Sequence, residues 1–271
     1  MASRPKRIKR LRTYQDDITD SESQEAYETA FAATDDWMNS DGYRLSEHMT
    51  TVSRSADLVH GNYRELTKCL REFKETTPDI YWDEVQEFGE EFSRHLFNYV
   101  SSVNSMENRV DKMLSQMDDM CERNPLVSEE YEKKVSEFDV DLHGAFFTSL
   151  RNILVHVAPI EYFTVYTDGE ANEYQYAIPT EEILNDREWT ASAKGYAEGC
   201  GEYIFMEDII ERYDGALEKL YNWFIEHVES RFEDRFEKRD ELAERARRLQ
   251  DEFFETCGID MMKIKWKTRE E

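Results

Sequence analysis

The sequence lacks a long apolar run, paired cysteines and any excess of positive charge, and each absence excludes a class of protein. No apolar run approaches the length that spans a bilayer, so we expect a cytoplasmic protein without a membrane partner. The cysteines have no paired spacing, which indicates neither a zinc cluster nor a disulfide framework. They are Cys69, Cys121, Cys200 and Cys257. The sequence also has no Gly-rich phosphate loop, no His-Glu metal set and no Ser or Cys nucleophile motif.

Acidic residues dominate what the sequence does contain. The 271 residues include 60 Asp and Glu against 34 Lys and Arg, a formal net charge of −26. This charge opposes extended contact with nucleic-acid phosphates unless basic residues gather in one place. It fits either a high-salt cytoplasm, where salt screens the self-repulsion, or an ordinary acidic soluble protein. A hydrophobic fraction of 39% and an aromatic fraction of 13% indicate a folded globular chain.

Two segments carry apolar residues at alternating steps of four and three, which is typical of long helices packed through a heptad stripe. The first stripe is Leu45, Met49, Val52, Ala56, Val59, Tyr63, Leu66, Leu70 and Phe73. The second stripe is Val85, Phe88, Phe92, Leu96, Tyr99, Val103, Met106, Val110, Met113 and Met117. The break at 76–79 is short, so the two helices should lie antiparallel. We therefore predict an all-α fold, an antiparallel bundle of long helices with a small β-hairpin inserted.

The rest of the chain completes this organisation. A shorter helix is predicted at 140–158, and a change to alternating apolar residues predicts the hairpin at about 161–178. A last long helix begins at Met206 and fades into the charged segment 235–248, which projects into solvent or meets a partner helix. Alternating apolar and Lys residues at 262–267 predict an edge strand. The predicted domains are a flexible arm at 1–20, a single helical domain at 21–255 and a tail at 256–271.

Six of the first twelve residues are basic and form an N-terminal arm. They are Arg4, Lys6, Arg7, Lys9, Arg10 and Arg12. The arm either brings RNA to an otherwise repulsive molecule or is a solvated tail without a specific role.

Residues 151–156, Arg-Asn-Ile-Leu-Val-His, form the most informative motif. A bare Arg-x(4–6)-His pattern should occur about once by chance in such a sequence, and Arg54 with His60 also fits it. Requiring Asn directly after Arg and His four residues later lowers the chance expectation to about 0.02. On the predicted helix Leu142, Phe146, Leu150, Ile153 and Val157 form the core stripe, whereas Asn152 and His156 share the opposite face. The bland alternative is a helix whose His caps the last carbonyls and whose Arg pairs with a carboxylate.

This motif, followed by a hairpin and another long helix, resembles the HEPN superfamily. The close likeness covers about ten residues, and the helix order extends a looser likeness over 45–249. The resemblance implies a helical bundle, often a homodimer, that acts as a metal-independent endoribonuclease without a cofactor, in many members a toxin or defence effector. An antitoxin or other regulatory protein would be a further partner. One branch of the family has a Tyr two residues after the His as the target of a nucleotidyltransferase antitoxin, and Ala158 stands there in this chain.

The residue types suit RNA cleavage by attack of the 2′-hydroxyl. His156 would transfer the proton, Arg151 would stabilise charge on the phosphate, and Asn152 would orient the imidazole. One His cannot easily serve as both acid and base, which favours a site assembled from two protomers. His143 and Ser149, on the turns before the motif, are weaker candidates for RNA contacts, as are the arm residues Arg4, Lys6, Arg7, Lys9 and Arg10.

Two other functions compete with the ribonuclease hypothesis. The first is a non-catalytic interaction module whose heptad stripes, for example at Leu66 and Val103, hold partner proteins. The second is a protein that binds RNA or nucleotides without cutting, through Arg151 and the N-terminal arm.

Overall fold

A computed structural model describes residues 18, 20–75, 82–120, 127–156, 164–168 and 173–259 of the chain. For residues 82–86, 154–156, 164–168 and 173–174 it describes the backbone only. Within these ranges helices predominate, and a small antiparallel sheet accompanies them. The elements are α1 (Ser21–Asn39), α2 (Asp41–Lys74), α3 (Trp82–Met120), α4 (Val127–Glu137), α5 (Val140–His156), β1 (Thr164–Asp168), β2 (Glu173–Pro179), α6 (Thr180–Asn185), α7 (Ala191–Glu198), β3 (Tyr203–Phe205), α8 (Met206–Arg231) and α9 (Glu233–Thr256). The all-α prediction with a small hairpin is confirmed.

The chain divides into two compact units. One comprises Met1–His48 with Val228–Glu271, and the other Met49–His227. The prediction of a single domain at 21–255, flanked by an arm and a tail, stays a prediction.

The core of the unit Met49–His227 is built from the two predicted stripes. Leu66 of α2 and Val103 of α3 are both fully buried in it. Such residues stabilise the fold itself, because each buried Leu or Val side chain contributes roughly 1.5–3 kcal/mol through the hydrophobic effect. The suggestion that these stripes hold partner proteins is therefore wrong for Leu66 and Val103, since their partners are helices of the same chain. Val85 of the predicted stripe lies outside the described side chains.

Helix α5 is tied into the same core by neighbouring aromatic residues. Phe146 packs against Trp189 and Tyr196, with ring centroids 5.3 and 5.2 Å apart, and Phe147 stacks on Tyr213 at 4.8 Å. Leu150 and Ile153 continue the buried side of the helix. The predicted core position Leu142 is an error, because this side chain is 46% exposed at the rim of an open cleft. Val157 lies outside the described residues.

A left-handed residue sets the turn from α4 into α5. Asp139 has φ of +58°, a conformation that Asp adopts more readily than most residues because its short polar side chain can bond locally. Its carbonyl oxygen accepts a hydrogen bond from the His143 amide at 3.2 Å. This turn therefore sets the direction in which α5 leaves α4, and so the position of the motif at the end of α5.

The predicted hairpin is present, and the sheet has one more strand than expected. Strands β1 and β2 pair antiparallel with Val165 opposite Tyr176, and β3 adds to the other edge of β2 with Ile178 opposite Ile204. At three residues β3 is too short to show a period of two in the sequence. The edge strand predicted at 262–267 lies outside the described residues.

In the unit Met1–His48 with Val228–Glu271, α1 pairs with α9. Tyr27 packs edge-on against Phe253 at 5.7 Å, and the Gln250 side-chain amide donates a 2.7 Å hydrogen bond to the buried Thr34 hydroxyl. The sequence predicts a single helix from Met206 that fades out, but the helix breaks at Phe232 and α9 begins afresh. The charged segment 235–248 thus belongs to a helix that packs on α1 of the same chain.

Gly42 marks a very close approach between the start of α2 and α9. A Cβ atom at this position would lie 2.1 Å from the Arg235 carbonyl oxygen and 2.9 Å from the Arg239 Cβ. Neither backbone can yield cheaply, because Arg235 also pairs with Asp41 and Arg239 donates to Ser46. By contrast, a Cβ at Gly61 of α2 would meet nothing within 4 Å.

We expect Gly42→Ala to lower the free energy of unfolding by about 2 kcal/mol or more, because the methyl group forces two helices apart. The matched change Gly61→Ala should raise it by about 0.5–1 kcal/mol, because Ala is the better helix former in open space. Urea denaturation followed by circular dichroism would measure both. Equal effects of the two substitutions would contradict the close approach at Gly42.

Candidate functional site

Helix α5 presents the motif on the side opposite its core stripe. Leu150 and Ile153 are buried, whereas Arg151 is half-buried and Asn152 is exposed. The 3.6-residue period explains this division, since positions 150 and 153 lie on one face and 152 on the other. The structure therefore brings two of the three motif side chains to the surface.

The Arg151 side chain is held by two residues of α3. Its guanidinium lies over the Phe97 ring, 5.4 Å from the centroid, and its Nε donates a 3.3 Å hydrogen bond to the Ser101 hydroxyl. Among the described residues no carboxylate pairs with Arg151, and no partner contacts its terminal Nη groups. A cation–π contact is worth about 0.5–1 kcal/mol when exposed and restricts the side chain. The guanidinium is therefore oriented without being neutralised.

Phe97 and Ser101 were not among the residues that the sequence singled out. Both are half-buried and lie outside the heptad stripe of α3, which runs through Leu96 and Tyr99. The sequence feature that could have indicated them is an aromatic residue next to the heptad stripe. A large apolar ring outside the core stripe often has a partner at the surface.

His156 is the last residue of α5. Its position lies four residues after Asn152, on the same face of the helix, as the motif requires. The His156 side chain lies outside the described residues. The arm residues Arg4, Lys6, Arg7, Lys9, Arg10 and Arg12 also lie outside them.

Ser149, a predicted RNA contact, is buried. Its side chain is buried at 2% exposure, and its hydroxyl shares a 2.8 Å hydrogen bond with the Thr190 hydroxyl. Thr190 caps the N-terminus of α7 by accepting from the Ala193 amide. Ser149 therefore fastens α7 to α5, and the suggested RNA contact is corrected to a structural role.

His143 lies away from Arg151 on the same helix. Its ring packs against Tyr196 and Tyr213, at 5.4 and 6.2 Å, on the side of α7 and α8, whereas Arg151 faces α3. Burial lowers its pKa, which Asp139 raises in part and Arg212 lowers further. The imidazole belongs to a separate cleft, so the structure does not join His143 to the motif.

The second Arg-His match in the sequence has a different setting. His60 accepts a hydrogen bond from Arg64 Nε at 3.1 Å and borders a pocket of about 290 Å³ that also contains Asp57, Asp214 and Glu218. Three carboxylates so close together would repel a phosphate. The two Arg-His matches thus have surroundings of different charge in the folded chain: carboxylates line the pocket beside His60, whereas no described carboxylate pairs with Arg151.

Asp214 is the most perturbed group of this acidic pocket. Burial raises the pKa of its carboxyl group to about 6, although the Tyr99 hydroxyl donates to it at 3.3 Å and His60 also favours its ionised form. The neighbouring Glu218 raises the pKa further. A carboxyl group with this pKa titrates close to neutral pH.

No helix of the described residues is both long and apolar enough to cross a membrane. The same part of the chain contains no group of three or more His, Cys, Asp or Glu side chains positioned to hold a metal ion.

We expect Asp214→Asn to stabilise the protein more at pH 7.5 than at pH 5. The folded-state pKa lies above the ordinary 3.8, so the native state holds the extra proton between about pH 4 and 6, and stability falls as pH rises through this window. A shift of this size corresponds to about 3 kcal/mol, which partial exposure reduces to about 1–2 kcal/mol. Asn retains an acceptor for the Tyr99 hydroxyl.

Urea unfolding of the wild type and the variant across pH 4–8 would measure the difference. Asp57→Asn is the matched control, because it removes the same charge from an exposed side chain of the same pocket. A pH dependence equal in both variants would contradict the special environment of Asp214.

No protein-family model, no curated protein and no solved structure matches this chain.

Proposed function

We propose that this protein is a metal-independent endoribonuclease of the HEPN type that acts as a homodimer. The observation that carries the proposal is Arg151, whose guanidinium is oriented by Phe97 and Ser101 but is not paired with a described carboxylate. In a chain with 60 acidic residues, an unneutralised cation beside the exposed Asn152 is the arrangement that a phosphate ligand requires. The bland alternative, an Arg paired with a carboxylate, lacks support among the described residues.

The reaction needs an acid, a base and a stabiliser of negative charge. The ribose 2′-oxygen attacks phosphorus and loses its proton to a base, while the bond from phosphorus to the 5′-oxygen breaks and that oxygen receives a proton. The products are a 2′,3′-cyclic phosphate and a 5′-hydroxyl. His156 serves in proton transfer, Asn152 orients the imidazole, and the Nη groups of Arg151 bind the phosphate oxygens as charge develops.

The homodimer follows from the count of histidines in the motif. One imidazole cannot be both base and acid in the same step, and His143 faces a different side of α5. A second copy of the chain supplies the missing imidazole and a second Arg151. Two guanidinium groups would also offset part of the repulsion between RNA and a molecule of charge −26.

We expect Arg151→Ala and His156→Ala each to reduce RNA cleavage by about 100-fold or more, since each removes transition-state stabilisation or proton transfer. Arg151→Lys should also be impaired, because Lys lacks the planar fork that binds phosphate in two places and stacks on Phe97. The measurement is cleavage of a labelled RNA in EDTA, with detection of 2′,3′-cyclic phosphate ends.

The matched controls are Arg54→Ala and His60→Ala, which alter the chance match and should leave cleavage unchanged. Activity per protomer should fall on dilution below the dimer dissociation constant, measured by light scattering. Folded dimer that cleaves no RNA under any salt condition would refute the enzymatic proposal. RNA binding that survives His156→Ala but is lost on deletion of residues 1–12 would favour binding without cleavage.

A further inference from the structure

A second cleft lies on the other side of α5 from Arg151. Its volume is about 650 Å³, which is within the range of small-molecule sites. It is bordered by the turn before α5, the first turn of α5, and one face each of α7 and α8. All of its lining residues belong to the unit Met49–His227.

One face of α8 gives this cleft its charge. Arg212, Gly215, Ala216 and Lys219 recur at the spacing i, i+3, i+4 and i+7, so two cations bracket the two smallest side chains. Both cations are exposed, and neither pairs with a carboxylate of the described residues. A distance of about 10 Å along the helix separates their positions, at 1.5 Å per residue.

Two carboxylates also line the cleft, Asp139 before α5 and Glu211 of α8. Glu211 and Asp214 both raise the pKa of the half-buried Tyr63 on α2, after burial as the main cause. Arg212 acts in the other direction, opposing the rise that burial causes in the pKa of Tyr196 and Cys200. Glu211 thus also acts towards α2, whereas Asp139 is the cleft carboxylate whose field reaches His143 alongside that of Arg212.

The floor of the cleft is left open by glycine. A Cβ at Gly195 of α7 or at Gly215 of α8 would meet nothing within 4 Å, so helix packing does not demand glycine at either position. Glycine inside a helix costs about 0.5–1 kcal/mol relative to Ala. The two glycines therefore leave open space in the cleft and do not serve a close contact between helices.

The start of α5 adds apolar side chains to the lining and one polar atom without a described partner. Leu142 is 46% exposed at the rim, and Phe138 lies beside it in the lining. His143 Nδ1 is buried without a hydrogen-bond partner among the described residues, an arrangement that costs roughly 1–3 kcal/mol unless a ligand or solvent satisfies it.

We propose that this cleft binds a small organic phosphate monoester, its anionic group between Arg212 and Lys219 and its apolar body against Leu142 and Phe138. The site is separate from the Arg151 motif, so the inference does not depend on the ribonuclease proposal. His143 provides the polar contact near the anionic end.

Phenyl phosphate is the probe, titrated into the full chain at pH 7.5 by calorimetry. We expect one saturable site with a Kd below about 1 mM. Inorganic phosphate, which lacks the apolar ring, and phenol, which lacks the anionic group, should both bind more weakly than phenyl phosphate. The ring resonances of His143 should shift on titration, and those of His60 should not.

Arg212→Gln and Lys219→Gln should each weaken binding about tenfold, the effect of losing one charge-assisted hydrogen bond. Lys112→Gln, which removes an exposed lysine of α3, is the matched control and should leave binding unchanged. Gly215→Leu should abolish binding by filling the cleft, whereas Gly61→Leu should not. Circular dichroism melts that match the wild type would confirm that these variants fold.

Binding should persist in Arg151→Ala and His156→Ala, which separates this site from the ribonuclease. Three results would overturn the proposal: no saturable binding of phenyl phosphate, binding that is indifferent to Arg212→Gln and Lys219→Gln, or a single-stranded RNA that competes for the same residues with higher affinity than phenyl phosphate.

Discussion

The placement of the described candidate residues of α5 depends on the anchoring of this helix by two adjacent phenylalanines. Phe146 packs towards α7 and Phe147 towards α3 and α8, so α5 makes buried contacts on two sides. A helix held in this way cannot rotate about its axis without losing several buried contacts, because protein cores are close-packed. Arg151 must consequently lie against α3 and His143 against α7 and α8. One buried pair of rings therefore separates the motif from the cleft.

The second theme of the structure is a set of cations without described carboxylate partners. With a net charge of −26, an arginine or lysine on the surface would ordinarily find a carboxylate, yet the described residues provide none for Arg151, Arg212 or Lys219. Arg151 is instead held by a ring and a hydroxyl. On one face of α8, the uncharged Gly215 and Ala216 lie between Arg212 and Lys219, and Glu211 lines the same cleft. Unneutralised cations concentrate a local positive potential, which is the electrostatic requirement for binding an anion.

The parts of the fold that could be predicted are those that rest on periodicity. The stripes of α2 and α3, the start of α5 and the pairing of β1 with β2 repeat over enough residues to stand out from chance. Strand β3 and the helices α6 and α7 are too short for this, and the break at Phe232 has neither Pro nor Gly to announce it. Ser149 and Leu142 were misjudged because burial depends on which element covers a face. For α5 that element is α7, whose position the sequence does not reveal.

The sequence by itself determined the helical character of the chain, its acidic surface and the Arg-Asn-x(3)-His spacing, because these are properties of residues close together along the chain. Only the tertiary structure decided that Arg151 meets Phe97 and Ser101, that the chance match at His60 lies among carboxylates, and that Arg212, Lys219 and His143 line one cleft. The physical reason is that electrostatic and packing interactions act over distances of a few ångströms between residues far apart in the chain. Which charges become neighbours is settled when the helices pack.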